Sequence, residues 1–321
     1  MKLLVVGSVA YDSVETVHGK VDRALGGSAT FFSIASSLFA PTSVVAVVGE
    51  DFRRSDLDRL DRRGIDISGI QIASGHTFRW GGVYSKHFET RQTLFTELNV
   101  FAEFKPHLPP AHAAADLVFL ANIHPELQYN VLDQCNGPRF VAMDTMNFWI
   151  SGQRAALERV LRRVDALFLN DEEAFALADA GNVLEAARRI HAMGPRTLVI
   201  KRGEHGAVLV HEGRALMVPA VMLDRVVDPT GAGDTFAGGF MGYLACQGRV
   251  DALALQGAMV AGTVAASFAV QDFSVDGIER VDLDDLGRRH DELRAGLLSA
   301  QMDLQAVRAA HRQRVSMPLP V

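Results

Sequence analysis

The decisive stretch is Asp228-Pro229-Thr230-Gly231-Ala232-Gly233-Asp234-Thr235-Phe236-Ala237-Gly238-Gly239-Phe240. An extended run at 223–227 leads into a turn carrying Pro229 and two glycines, and a small-residue apolar segment begins at Thr235. This order predicts a strand or loop feeding a helix N-terminus, where unpaired amides and the helix dipole favour an anion. Gly231 and Gly233 carry no side chain, so backbone N–H groups around Ala232 can close on a phosphoryl group. Asp234 repels phosphate at rest, yet it stands where a base would take a proton from an attacking hydroxyl. Read alone, Gly-Ala-Gly-Asp serves equally as an acidic helix cap after a glycine turn.

Working outward, the chain of 321 residues is 48% hydrophobic, enough for one large α/β domain and against disorder. A net charge of −6 gives no nucleic-acid-binding surface. The two cysteines, Cys135 and Cys246, form no disulfide scaffold or metal motif. No secretory signal is read at Met1-Lys2, and Gly, Asp, Gln or Ser interrupt every long apolar run, so no membrane span is expected. The expectation is a cytoplasmic protein. Neither a G-x-x-x-x-G-K-[ST] string nor the protein-kinase motif set is present.

Short apolar runs at 3–6, 44–48, 116–121, 140–143, 165–169 and 197–200 alternate with helical segments, predicting a parallel sheet. Residues 207–210 and 215–218 predict a hairpin around Glu212-Gly213, and 251–268 a long small-faced helix. At 70–98 the texture changes to short β-like runs, 78–84 and 90–95, which carry Trp80, Tyr84, Phe88 and Phe95. Asp144 and Asn147 stand just past a strand, where α/β ligand sites occur.

The whole stretch from Asp228 closely resembles the signature of the ribokinase-like, or PfkB-type, carbohydrate and nucleoside kinases. The pair Gly26-Gly27 matches that family's other glycine motif, and the similarity runs over residues 2–298. The resemblance implies a three-layer α/β/α domain over 1–300 with a small β lid, its strands near 12–20 and 70–98, followed by a helical or extended tail at 301–321.

It also implies the site. Asp234 is the base; Gly231, Ala232 and Gly233 form the anion hole; Asp228 lies near a monovalent-cation site for K+. Asp12, Gly26, Gly27, Arg79 and Asn147 are expected around the acceptor. Asn170…Glu173 resembles the N-x-x-E motif that organises Mg2+ and phosphate, with Glu173 acting largely through water. Lys201, Gly203, Gly206, Met259 and Gly262 are expected at the nucleotide. An Asn common after the Gly pair is absent from residues 28–33, a departure from ribokinase itself.

The expected reaction is transfer of the γ-phosphoryl group of MgATP to a primary hydroxyl of a small sugar. Phosphorylation of a nucleoside and a non-catalytic nucleotide sensor are the alternatives. Phe78, Trp80, Phe148 and Trp149 suit either a base or a sugar. The exposed lid face is expected to support a homodimer.

Overall fold

The strand Leu3–Val6 reads Leu-Leu-Val-Val and is buried throughout, which requires cover on both faces of its sheet. Alternation divides it: Leu3 and Val5 enter one core, Leu4 and Val6 the other. The computed structural model describes residues 1–297. Its strands are β1 Leu3–Val6, β2 Ala10–Thr16, β3 Gly19–Gly26, β4 Thr42–Gly49, β5 Asp66–Ala73, β6 Arg79–Tyr84 and β7 Arg91–Glu97. They continue with β8 Leu117–Leu120, β9 Phe140–Asp144, β10 Ala166–Asn170, β11 Thr197–Lys201, β12 Ala207–His211 and β13 Arg214–Val218.

Nine of these form one sheet in the order β13-β12-β11-β10-β9-β8-β1-β4-β5. All pairings are parallel except the β12–β13 hairpin and its junction with β11. Helices α1 Ser28–Ser37, α2 Arg54–Arg62, α3 Pro110–Ala113, α4 Pro125–Gln134, α5 Asn147–Gly152 and α6 Arg154–Leu161 come first along the chain. Then follow α7 Asp171–Ala178, α8 Val183–His191, α9 Ala232–Gln247, α10 Ala252–Ala269, α11 Asp276–Glu279 and α12 Leu283–Leu297. α1, α2 and α9–α12 cover one face, and α3–α8 the other. This is the ribokinase-like three-layer α/β/α fold.

An aromatic chain ties α9 to the sheet. Phe32 stacks on Phe119 at 4.5 Å between centroids, Phe119 meets Phe168 edge-on, and Phe168 meets Phe240 at 5.1 Å. Such pairs add about 0.5–1.5 kcal/mol each beyond burial, and they fix the helix that carries Asp234.

The second sheet has the order β3-β2-β6-β7. It begins where β1 ends, so Asp12 on β2 is delivered directly above the C-terminal edge of the main sheet.

Two expectations are corrected. β5 belongs to the main sheet because it pairs in parallel with β4, so residues 70–73 are not lid. The other concerns α10, which at 18 residues and mean hydropathy 1.5 is long and apolar enough for a membrane span. It is nevertheless 61% buried within the protein and packs on α9. The tail at 301–321, and the charged run beyond residue 297, lie outside the described residues.

Candidate active site

Asp144, Asn170 and Lys201 are the last residues of β9, β10 and β11, which are adjacent and parallel. Strand C-termini in open α/β sheets are where ligands settle. Lys201 Nζ donates to Asp144 Oδ2 at 2.8 Å in a well-buried pair. The same ammonium lies where a side chain on Gly233 would sit, 3.0 Å from an ideal Cβ. Lys201 is thereby placed against the first turn of α9.

Gly231 caps α9 at φ 74°, a left-handed conformation that a β-carbon would strain, and the ring of Phe31 fills the space such a carbon needs. The Ala232 amide donates to Pro229 O at 3.2 Å and closes the turn, so it is spent locally. Among the described residues no backbone carbonyl takes the amides of Gly231 or Gly233.

Asp234 stands one residue further on, half-buried. Burial pushes its carboxyl up to about 7; Asp144 adds to this and Lys201 opposes it. Asp12 is likewise pushed up to about 7, first by burial, then by Asp228 and Asp234, against the Gly27 amide and Arg91. Its carboxylate lies over Gly26, where Oδ2 would meet a β-carbon at 2.0 Å. Gly27, at φ 94°, brings the chain onto Ser8 O and starts α1. Gly26 therefore makes room for Asp12, and Gly27 for the backbone at Ser8 and Ala10.

Asn170 and Glu173 form a capping box on α7. Glu173 N donates to Asn170 Oδ1 at 2.7 Å, and Asn170 N to Glu173 Oε2 at 2.8 Å. Burial, with Asp144 adding to it, pushes Glu173 up to about 7, and Lys201 works the other way. Asp228 is also buried. Its Oδ1 accepts from Thr230 N at 2.8 Å, while Oδ2 has no partner. Among the described residues no three His, Cys, Asp or Glu side chains form a metal cage.

The lid register decides what faces this cluster. Asp12 pairs with Trp80, and Tyr84 pairs with Arg91. Paired residues share a face, as do residues two and four apart on β6. Trp80, Tyr84 and Arg91 thus share the face of Asp12. Trp80 lies across Gly82, whose β-carbon would meet the indole at 2.4 Å, and the Arg91 guanidinium sits 5.1 Å from the ring centre. Tyr84 Oη and Thr230 Oγ1 are 3.1 Å apart.

Arg79 is corrected. It pairs with Tyr11 on the opposite face, beside Glu97 at 3.5 Å and over Phe95. Met259 and Gly262 are corrected too: Met259 has no exposure, and Gly262 lies against Phe236 O, so both serve the α9–α10 contact. Gly203 and Gly206 shape the turn after β11, with Gly206 pressed on Val218 and Pro219. Asn147 is exposed at the start of α5, and no contact joins it to Asp12. Phe148 is exposed, Trp149 donates to Asn122 at 2.8 Å, and Phe78 stacks on Phe101. Sequence reasoning missed Arg91, an exposed cation whose only signal is its place on an alternating strand.

The pfkB family carbohydrate kinase profile matches residues 1–277. A cytidine kinase of Thermococcus kodakarensis is 33% identical over 251 residues, covering 76% of this chain and 88% of that protein. A 2-dehydro-3-deoxygluconokinase of Thermoproteus tenax is 25% identical over 240 residues, covering 68% and 73%. Among solved structures, the nucleoside kinase of Methanocaldococcus jannaschii superposes with TM-score 0.70 at 20% identity, covering 91% of this chain and 98% of that one. Aminoimidazole riboside kinase from Salmonella enterica, complexed with aminoimidazole riboside and an ATP analog, gives TM-score 0.72 at 17% identity, covering 90% and 100%. With its family profile matched from the first strand through α9 and α10, this chain belongs to the pfkB family of carbohydrate kinases and is an ATP-dependent kinase.

Proposed function

We propose that this kinase transfers the γ-phosphoryl group of MgATP to the primary 5′-hydroxyl of a nucleoside, in preference to the small sugar expected first. The observation that carries this reading is the pairing of Asp12 with Trp80 on one lid face. A carboxylate able to accept from a ribose diol then lies beside an indole, an aromatic side chain of the kind on which bases stack. The cytidine kinase relative supports it.

The chain's own groups divide the work. Asp12 holds the acceptor's neighbouring hydroxyls. Asp234 takes the proton of the attacking hydroxyl, and a carboxyl pushed up to about 7 is a better base at neutral pH than an ordinary one. The Gly231 and Gly233 amides and the N-terminal field of α9 receive the charge that develops on the phosphoryl oxygens. Lys201, steadied by Asp144, adds a cation at the same turn.

Mg2+, when bound with ATP, would neutralise phosphate charge, and Asn170 and Glu173 are the residues that would hold it through water. Asn170 Oδ1 and Glu173 Oε2 are engaged in the capping box, which leaves Glu173 Oε1 to hold metal-bound water. The residues fit Mg2+ carried chiefly by water and phosphate rather than by a protein cage. The unpartnered Asp228 Oδ2 suits a monovalent cation such as K+. We extend the reading to a reducing cytoplasm, where Cys135 and Cys246 stay free, and to a homodimer through the lid, where Val17, Leu94 and Leu98 are exposed.

Arg91 favours a second reading. A cation on the acceptor face, lying over the Trp80 ring, suits an acidic sugar, and 2-dehydro-3-deoxygluconokinase relatives agree with it. ADP release measured over a panel of nucleosides, neutral sugars and 2-keto-3-deoxy sugar acids separates the readings. Highest kcat/KM with nucleosides supports the proposal; activity confined to sugars or sugar acids overturns it.

A further inference from the structure

Among the described residues, the small sheet hydrogen-bonds to the catalytic loop through a pair of hydroxyls. Tyr84 closes β6, and its phenol oxygen lies 3.1 Å from Thr230 Oγ1. Thr230 immediately precedes Gly231, and its amide is held by Asp228 Oδ1 at 2.8 Å. Any turn of Thr230 therefore turns the peptide that supplies the Gly231 amide. On the other side, Tyr84 shares a strand and a face with Trp80, the residue beside the acceptor carboxylate Asp12. At about 3.3 Å per residue the strand is a short, stiff link between acceptor and latch. Phe88 packs on Tyr84 at 6.1 Å and His18 on Phe88 at 6.3 Å, so the phenol is held from behind. Burial raises the Tyr84 hydroxyl above its ordinary range, with Thr230 and Arg91 drawing it back, so the phenol stays neutral, and either oxygen of the pair can donate.

We propose that Tyr84 is a positioning residue whose hydroxyl, through Thr230, aligns the anion-hole amides when the lid lies over the acceptor. It rests on the phosphoryl-transfer reading but not on the acceptor's identity. Acceptor on the lid face holds β6 down, and the latch then sets Gly231 for transfer. When the latch is broken, the hole forms without regard to the acceptor. Water then competes for the γ-phosphoryl group, its oxygen bonding to phosphorus as ADP leaves, giving ADP and inorganic phosphate. The latch thus couples ATP use to acceptor phosphorylation.

The test compares wild type with Tyr84→Phe, Thr230→Val and the double variant. ADP and inorganic phosphate are both measured, with MgATP alone and with the best acceptor of the panel. One neutral hydrogen bond corresponds to about three- to tenfold in rate. Tyr84→Phe is expected to lower acceptor-dependent kcat by about that factor and raise the phosphate-to-ADP ratio, with the ATP KM unchanged. Thr230→Val should match it, and the double variant should be no worse than the worse single one. Thr230→Ser keeps the hydroxyl and should restore the wild-type ratio, which a purely structural role for the pair does not predict. Wild-type kcat and phosphate ratio in Tyr84→Phe, additive losses in the double variant, or uncoupling in Thr230→Ser would each overturn the proposal. The acceptor-free arm reads the latch by itself, whereas wild-type turnover on nucleosides reads the functional assignment.

Discussion

Lys201 Nζ and Asp144 Oδ2, 57 residues apart in sequence, meet at 2.8 Å at the ends of strands separated by only β10. Burial works against the Lys201 charge, but Asp144, Glu173 and Asp234 outweigh it and hold the ammonium above its usual range. The pair thus sets a cation close enough to Glu173 and Asp234 for each carboxylate to hold it charged. Replacing Lys201 by Met leaves Asp144 buried and unpaired, which costs about 3–5 kcal/mol for such pairs. Denaturant unfolding should show a loss of that order, and kcat should fall with it. A Lys201→Met protein as stable as wild type would contradict the pairing.

Activity should depend on pH through Asp234. Its carboxyl is pushed up to about 7, so kcat/KM should rise as pH climbs through that value and then level off. Stability runs the opposite way. Asp12, Glu173 and Asp234 all hold protons more tightly folded than unfolded. Their contribution is full below the ordinary carboxylate range and is lost as pH rises through about 7. Thermal unfolding without ligands should therefore show a falling Tm between pH 5 and 8, checked by calorimetry; a rising Tm would contradict the enclosed carboxyls.

The lid register makes a paired prediction. Trp80→Ala removes a stacking surface on the face of Asp12, and at ~1–3 kcal/mol per stacked base the acceptor KM should rise about tenfold or more. Arg79→Ala acts on the other face and should leave acceptor KM within about twofold. Steady-state kinetics on both variants decides it, and the reverse ranking would refute the face assignment.

Glu173 has two duties that one substitution separates. Gln retains the reciprocal bonds of the capping box, so Glu173→Gln should unfold at nearly the wild-type temperature. The Mg2+ needed for half-maximal velocity should rise several-fold because the carboxylate charge is gone. Titration with Mg2+ at fixed ATP measures this, and an unchanged requirement would assign Glu173 to the helix alone.

Much of this was legible in the chain. Buried parallel strands are short apolar runs ended by Gly, Asp or Asn, so 3–6 or 197–200 announces itself without tertiary help. The glycine turn before Asp234 was legible for the same local reason: the left-handed φ of 74° at Gly231 favours a residue without a β-carbon. Lid facing was not. Arg79 and Trp80 differ by one residue, and which of them meets the acceptor depends on the pairing of Asp12 with Trp80, a contact 68 positions away. β5 reaches into the region 70–98 where the texture changes, and its parallel pairing with β4, a long-range contact, puts it at the edge of the other sheet. Met259 and Gly262 were misplaced because small-residue spacing on a helix fits a close neighbour of any kind, here α9. Arg91 gave no local signal, since a lone arginine on an exposed strand is ordinary.

The central claim, that Asp234 is the base beside a two-amide anion hole, is tested most directly by single-turnover phosphoryl transfer in Asp234→Asn. Asn keeps the size and removes the proton acceptor. The account predicts a fall of ~10²–10⁴ in the transfer rate, with MgATP binding by calorimetry close to wild type. Transfer at the wild-type rate in Asp234→Asn would contradict it.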